Sequence, residues 1–409
     1  MSRKTERRLR LLQALLAATT AVAACRILWP VAPWAGILLA VILLGLAHSR
    51  MILGQGTAIL TYHSISDDAA WLPWSNDITV SRASFAAHLQ TLKAMAVPVL
   101  ATRDYAAMRQ RGEAIPARAV VLHVDDGYFD NWCNAVPLLI QHGFPATFFV
   151  SLNFVEPGDQ VRTRADRPGY MSWAELREIE TIPGLEVEPH GIDHARIAVS
   201  GPPVARLNAQ NWRDHLWLQW AASPGPKHDW HDRPTAWAVP IGSEVPPSRL
   251  ALASPGLSAN GMETEADLAT RIRATLDQCN ATFVRELGRQ PLIFCWPENK
   301  CSAAGRAIAH QMGYAATTGG KGRNATAEAD SILSRVHVPD RSLGFSSPRA
   351  EGFALRALIG AMHGNLYWYP VLLAMQLTRR IVRLAGQITV GTHQTTRQRS
   401  VAISMEQTT

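Results

Sequence analysis

Three hydrophobic rhythms follow one another along this chain. The first is a pair of nearly continuous apolar stretches, Leu11 to Leu28 and Trp34 to Ala47, separated by Pro30 and Pro33. Stretches this apolar point to a membrane, and the second falls short of the ~20 residues that a full span needs. They read either as one long anchor or as a helical hairpin turning at Pro30-Val31-Ala32-Pro33. The length and flanks of the first stretch fit a cleaved signal peptide poorly.

The second rhythm begins at Ala58, where short apolar runs alternate with stripes of helical period. Ala58 to Tyr62 reads as a strand. Phe85, Leu89 and Leu92 share one face of a helix starting near Ser84. Val97 to Leu100 and Ala119 to Val124 read as strands. A helix through Leu138-Leu139-Ile140 precedes a strand over Ala146 to Val150. Ser172-Trp173-Ala174-Glu175 is a capping-box pattern that opens a helix, and Leu185 to Glu188 is a further short strand. Leu268, Ile272, Leu276, Phe283 and Leu287 continue a helical stripe. Strands over Leu292 to Trp296 and Tyr314 to Thr318 flank a helix over Ala303 to Met312, and Arg335 to Val338 is strand-like. Such alternation predicts an α/β fold with a parallel barrel.

The third rhythm is irregular. Gly201 to Gly261 is rich in Pro and Trp, with Trp212, Trp217, Trp220, Trp230 and Trp237. Long irregular insertions are often functional. This one reads as an insertion over the barrel mouth that offers aromatic faces to a ligand, or as a loop whose tryptophans pack on the barrel or membrane. After Ser346 the pattern changes again. Phe353 to Leu377 is largely apolar, with Tyr367, Trp368 and Tyr369 in its middle and a basic end. It reads as an interfacial amphipathic segment or as a helix closing the barrel. Gly391 to Thr409 reads as a polar tail. The predicted organisation is an anchor over residues 1–50, a barrel over 51–345 with an insertion at 201–261, and a C-terminal segment over 346–409.

Composition sharpens the membrane reading. Only 18% of the 409 residues are charged and 47% are hydrophobic. The net charge of +7 is spread along the chain, with basic clusters at the ends, in Arg3-Lys4, Arg7-Arg8 and Arg10, then Arg379-Arg380 and Arg383. Basic clusters beside apolar segments suit anionic headgroups better than nucleic acid. No zinc-finger spacing, Gly-rich phosphate loop or basic–aromatic stripe is present, so no nucleic-acid partner is expected. The five cysteines form an odd set without a disulfide framework. The basic start places the N-terminus in the cytoplasm. A single anchor would put the rest of the chain outside, in the periplasm, whereas a hairpin would return it to the cytoplasm, the side favoured because unpaired thiols are tolerated there.

The chemistry stands at two predicted strand ends. His123-Val124-Asp125-Asp126-Gly127-Tyr128 follows one, and His190-Gly191-Ile192-Asp193-His194 follows another. α/β barrels keep their reactive residues at such ends. One carboxylate and two imidazoles make a facial ligand set for a divalent metal, with positions left for water and substrate. The other carboxylate is then available as a base, which is the toolkit of a metal-assisted hydrolase.

With these motifs the chain resembles the polysaccharide deacetylases that carry a NodB homology domain. The family's Thr-Phe-Asp-Asp-Gly-Tyr stands here as His123 to Tyr128, and its His-Ser/Thr-x-x-His as His190 to His194. Pro145-Ala146-Thr147-Phe148-Phe149 is intact. Met171-Ser172-Trp173, Cys295-Trp296-Pro297 and Gly313-Tyr314-Ala315-Ala316-Thr317 follow in order. Tyr62-His63-Ser64-Ile65 resembles the first-strand signature of the poly-N-acetylglucosamine deacetylase branch. The resemblance runs from about residue 58 to 340.

It implies a distorted (β/α)7 barrel with an N-terminal transmembrane segment, and hydrolysis of N-acetyl groups on a bacterial surface polysaccharide or its precursor. Asp126, His190 and His194 would hold the metal, zinc being the expected ion. Asp125 would be the base and a backbone N–H such as that of Tyr128 an oxyanion donor. His337 would be the acid, with His63 a second candidate. Trp296 would wall the acetyl pocket. The expected partners are an N-acetylated glycan or a lipid-linked sugar, and the bacterial inner membrane. One departure stands out: the family's Arg-x-Pro-Tyr, whose arginine orients the base, is here Cys295-Trp296-Pro297-Glu298. Two other readings remain, an O-deacetylase or deformylase on a lipid-linked sugar, and a barrel that binds glycan without turnover.

Overall fold

A computed structural model describes residues 1–385 except 53, 55, 69–77, 166, 230–237 and 259–260. The predicted tail beyond Gly391 lies outside the described residues, as do Trp230 and Trp237.

Seven staves close a parallel barrel. Strands β1 (Ala58–Tyr62), β2 (Val120–Asp126), β3 (Ala146–Val150) and β4 (Leu185–Pro189) pair in sequence order. Strands β5 (Ile293–Phe294), β6 (Ala316–Thr318) and β7 (Ile332–Leu333) form a second parallel set. After Ser334 the chain continues as β8 (Arg335–His337), which pairs with β1 and closes one seam. The other seam is closed by Cys295, whose N–H donates to Pro189 O at 3.0 Å. These short strands are buried along nearly their whole length. That burial is why they read as unbroken apolar runs rather than alternating ones. Asp125 and Asp126 are the last two residues of β2, not residues beyond its end.

The helices pack outside the barrel: α3 (Arg82–Ala94), α4 (Thr102–Gln110), α5 (Val136–His142), α6 (Trp173–Thr181), α8 (Glu265–Leu287), α9 (Ala303–Gln311) and α10 (Pro348–Met362). The capping box at Ser172 and Glu175 opens α6 as its sequence predicts. In α8 the predicted stripe of Leu268, Ile272, Leu276 and Phe283 is buried, and the helix ends on Gly288 at φ 68°. Truncating any of these side chains to Ala costs about 2–5 kcal/mol. Helix α7 (Leu216–Ala222) lies within the insertion.

The predicted C-terminal apolar segment is two pieces. Leu355, Ile359 and Met362 of α10 belong to the main core, so this part is a barrel-covering helix. The chain turns at Gly364, φ 95°, and is helical again over 368–385.

Two N-terminal helices, α1 (Arg3–Leu28) and α2 (Pro33–Ile52), are long and apolar enough to cross a membrane. They run antiparallel. Cys25 Sγ donates to Gly36 O at 3.5 Å near the turn, and Arg10 Nε to Arg50 O at 2.9 Å near the base. Gly36 permits the close approach, since a Cβ there would lie 3.3 Å from Leu28 Cβ. The outward residues are apolar, with Leu15 62% and Leu16 68% exposed. Helix α2 leads into the start of β1, so the hairpin joins the barrel opposite the end that carries Asp125.

Candidate catalytic and metal centre

Adjacent residues of a strand point to opposite faces, yet Asp125 and Asp126 both line one cavity. The backbone explains it. Asp126 takes a left-handed φ of 74° and Gly127 one of 75°, so the chain swings round at the strand end. A side chain at Gly127 would press on Val150 at 3.0 Å, so the turn needs glycine for space as well as conformation.

His190 follows β4 directly. Its Nδ1 lies 2.9 Å from Cys295 O, which fixes the ring and aims Nε2 at Asp126. Asp126 Oδ1 is 3.3 Å from His190 Nε2 and 3.2 Å from His194 Nε2, and the two Nε2 atoms are 2.8 Å apart. His194 also has a left-handed φ, 54°. Strain of this kind persists where the surroundings over-determine it, often at functional sites. Three ligand-type atoms that converge so closely fit one small cation. Beyond these two imidazoles, no donor among the described residues reaches Asp126 Oδ1, and Tyr128 Oη occupies Oδ2 at 2.9 Å. Cys295 stands near Asp125 and His190 as an alternative ligand. Burial raises its thiol pKa well above the ordinary value.

Asp125 is 1% exposed and held by a residue that the sequence reading passed over. Arg335 Nη1 donates to Asp125 Oδ1 at 2.7 Å, and both partners are buried. Burial opposes ionisation of Asp125. The Arg335 guanidinium outweighs it, helped by His190 and His63, and brings the carboxyl down to about 2. Arg335 Nε in turn donates to Asn299 Oδ1 at 3.2 Å. An arginine thus reaches this carboxylate from β8, although the Cys295 to Glu298 stretch lacks one. The signal was present: in a strand, residues 335 and 337 share a face.

His63, after β1, and His337, at the end of β8, stand beside each other with rings 5.4 Å apart. Both line the cavity. His63 Nε2 is 3.9 Å from Asp125 Oδ2. Burial lowers the pKa of His63, against the pull of Asp126 and Asp125. His337 is exposed at the rim.

The cavity measures about 1100 Å³. Its upper wall comes from the insertion, which the short antiparallel pair Arg196–Ala198 and Ser248–Leu250 ties down. Trp217 and Trp220 line it, and Trp220 packs edge-on against Phe154 at 5.3 Å. Arg196 Nη1 bonds Glu298 Oε1 at 2.6 Å. The residues that depart from the resembled motif, Glu298 and Asn299, therefore brace the insertion and Arg335. Trp296 is corrected. It is fully buried and packs against Phe294, Ile272 and Ile308 under α8 and α9, not among the residues lining the cavity.

Known proteins agree with this arrangement in family. The polysaccharide deacetylase family matches residues 112–317, half of the chain and the span from before β2 to β6. A Bacillus subtilis protein named for that family, YxkH, is 26% identical over 139 residues, 34% of this chain and 43% of its own length. The match thus spans less than half of that relative. Among solved structures, a de-N-acetylase from Aggregatibacter actinomycetemcomitans is 20% identical, with 68% of this chain and 94% of that one covered and a TM-score of 0.48. IcaB from Ammonifex degensii is 17% identical, covering 76% and 98%, also at 0.48. The chain belongs to the polysaccharide deacetylase family.

Proposed function

We propose that this protein hydrolyses N-acetyl groups on the amino sugars of a bacterial surface polysaccharide or its precursor, with the help of a divalent metal. One observation carries the reading. A buried, ionised Asp125 stands beside a converging Asp126, His190 and His194 in one cavity. Asp126, His190 and His194 would hold the ion, and two imidazoles with one carboxylate suit zinc. When bound, such an ion polarises the acyl carbonyl and lowers the pKa of water.

The chain's own residues do the rest. Asp125 accepts the proton of the attacking water. Arg335 keeps that carboxylate charged and aimed. The backbone N–H of Tyr128 is the proposed donor to the oxyanion. His337 gives a proton to the amine as the carbon–nitrogen bond breaks, with His63 at its side. Acetate and the free amino sugar leave. Trp217 and Trp220 offer flat faces to neighbouring sugar rings.

The proposed location is the bacterial inner membrane, with the barrel on the cytoplasmic face. The basic start of α1 is bonded to the barrel itself, which supports placing both on one side of the bilayer. The positive-inside rule favours the cytoplasmic side for that start. This topology is also what favours the second reading, an O-deacetylase or deformylase acting on a lipid-linked sugar.

The test is acetate release from N-acetylglucosamine oligomers by the full-length protein in lipid nanodiscs, after chelation and again after zinc is restored. Zinc-dependent release is expected. No release with zinc stoichiometrically bound would move the assignment to the lipid-linked or differently acylated substrate. No release and no metal binding would leave a glycan-binding barrel.

A further inference from the structure

The first turns of α1 are built into the barrel. The backbone N–H of Arg3 donates to Lys321 O at 2.6 Å, and Arg3 Nη2 donates to the carbonyl of Arg335 at 3.0 Å. Glu6 Oε2 accepts from Arg323 Nε at 2.6 Å. Arg10 Nη2 donates to Gly364 O at 2.7 Å. Arg323 is 1% exposed and ties several elements together. Its Nη1 donates to the carbonyls of Ala361 and Met362 at the end of α10, and its own carbonyl accepts from Thr57 just before β1. Glu6 is its carboxylate partner among the described residues. A guanidinium this buried is costly once its counter-charge is gone.

These contacts meet the site at one residue. Arg335 receives Arg3 on its backbone carbonyl and reaches Asp125 with its guanidinium. One residue of the membrane-type hairpin, Arg3, thus bonds β8 directly, and Glu6 holds Arg323, whose neighbour Asn324 bonds both backbone groups of Ser334 just before β8; β8 in turn carries the grip on the catalytic carboxylate. We propose that Arg3 and Glu6 are positioning residues for catalysis, acting through Arg335 and Arg323, so that the barrel reaches full activity only with its hairpin docked. The inference rests on the assignment of Asp125 as the base. It goes beyond that assignment by making the anchor part of the catalytic architecture rather than a tether.

The experiment uses the full chain in lipid nanodiscs and compares wild type with Arg3→Ala, Arg3→Lys, Glu6→Gln and Arg8→Ala. Arg8 is exposed one turn from these contacts and removes the same charge as Arg3→Ala. Arg3→Ala and Glu6→Gln are expected to lower kcat about 10-fold with KM within about twofold, the mark of a displaced group rather than lost binding. Arg3→Lys, which keeps a donor for the Arg335 carbonyl, recovers most of the rate, and Arg8→Ala keeps it. Hydrogen exchange read in the same samples is expected to quicken at residues 335–337 in the first two variants and not in Arg8→Ala. Wild-type kcat in both variants overturns the proposal, even if their melting temperatures fall, because the contacts would then be structural alone. If wild type releases no acetate, the functional reading fails separately. The exchange comparison still decides the placement of β8, and unchanged protection at 335–337 sinks it.

Discussion

The floor of the cavity and its rim are made in different ways. Floor side chains come from the ends of several strands: Asp125 and Asp126 from β2, His190 after β4, Arg335 from β8. Asp125, His190 and Arg335 are buried and locked by short bonds, such as His190 to Cys295 O at 2.9 Å and Arg335 to Asp125 at 2.7 Å. Rim side chains such as Trp217 and Trp220 come from a single insertion, and one of its ties to the rest of the mouth runs through Arg196, which bonds Ser248 Oγ at 3.1 Å and, half-exposed, Glu298. A site on rigid elements holds reacting groups in place, and a site on loops adapts to a ligand. The floor should therefore govern the rate and the rim should govern which glycan binds.

The largest effect expected is at Asp125. Asp125→Asn keeps the shape and removes the base, so acetate release should fall about 10³-fold while zinc binding by calorimetry keeps its stoichiometry. Loss of both together would mean that Asp125 is a ligand, and the division of labour between the two carboxylates would collapse. Next is Arg335→Gln, expected to lower kcat about 10²-fold with little change in KM. Breaking this buried pair should also cost about 3–5 kcal/mol of stability, readable as a fall in melting temperature. A change confined to KM would make Arg335 a substrate contact and blur the distinction between floor and rim.

On the rim the sign reverses. Trp217→Ala should raise KM for oligomers about 5-fold and leave kcat near wild type, the pattern of lost uniform binding. A matching fall in kcat would show that the insertion also orders the floor.

The smallest effect lies deeper in the barrel, at Glu186. Burial raises its pKa to about 7, against the hydrogen bond from Thr147 and the charge of Arg103. The folded state therefore holds this proton more tightly than the unfolded chain, whose carboxyl has the ordinary value of 4.5. The contribution to stability is full below about pH 4.5 and is lost as the pH rises through about 7. Glu186→Gln should flatten that part of the melting-temperature profile by calorimetry. Parallel profiles for the two proteins would mean that Glu186 is ionised throughout.

Much of this was legible in the chain. Fully buried strands announced themselves as β-branched runs, and helices as stripes, because each pattern is local. The converging group of Asp126, His190 and His194 was legible because these residues stand in fixed offsets beside strand ends. Arg335 was not, because its partner Asp125 lies 210 positions earlier and meets it only when β8 closes against β1. Trp296 was misplaced for a related reason. Its position after β5 was clear, but the side of the barrel wall it faces depends on how α8 and α9 pack.

The sequence alone thus determined the elements, the two apolar N-terminal stretches and the residue types able to hold a metal and move a proton. All of these follow from side-chain chemistry and from periods of two and 3.6 residues. The tertiary structure decided that the apolar stretches fold as a hairpin, which arginine holds Asp125, which tryptophans reach the cavity, and that the hairpin is bonded to the strand behind the site. Those pairings join residues far apart in the chain, and they exist only once the barrel has closed and fixed which face each side chain presents.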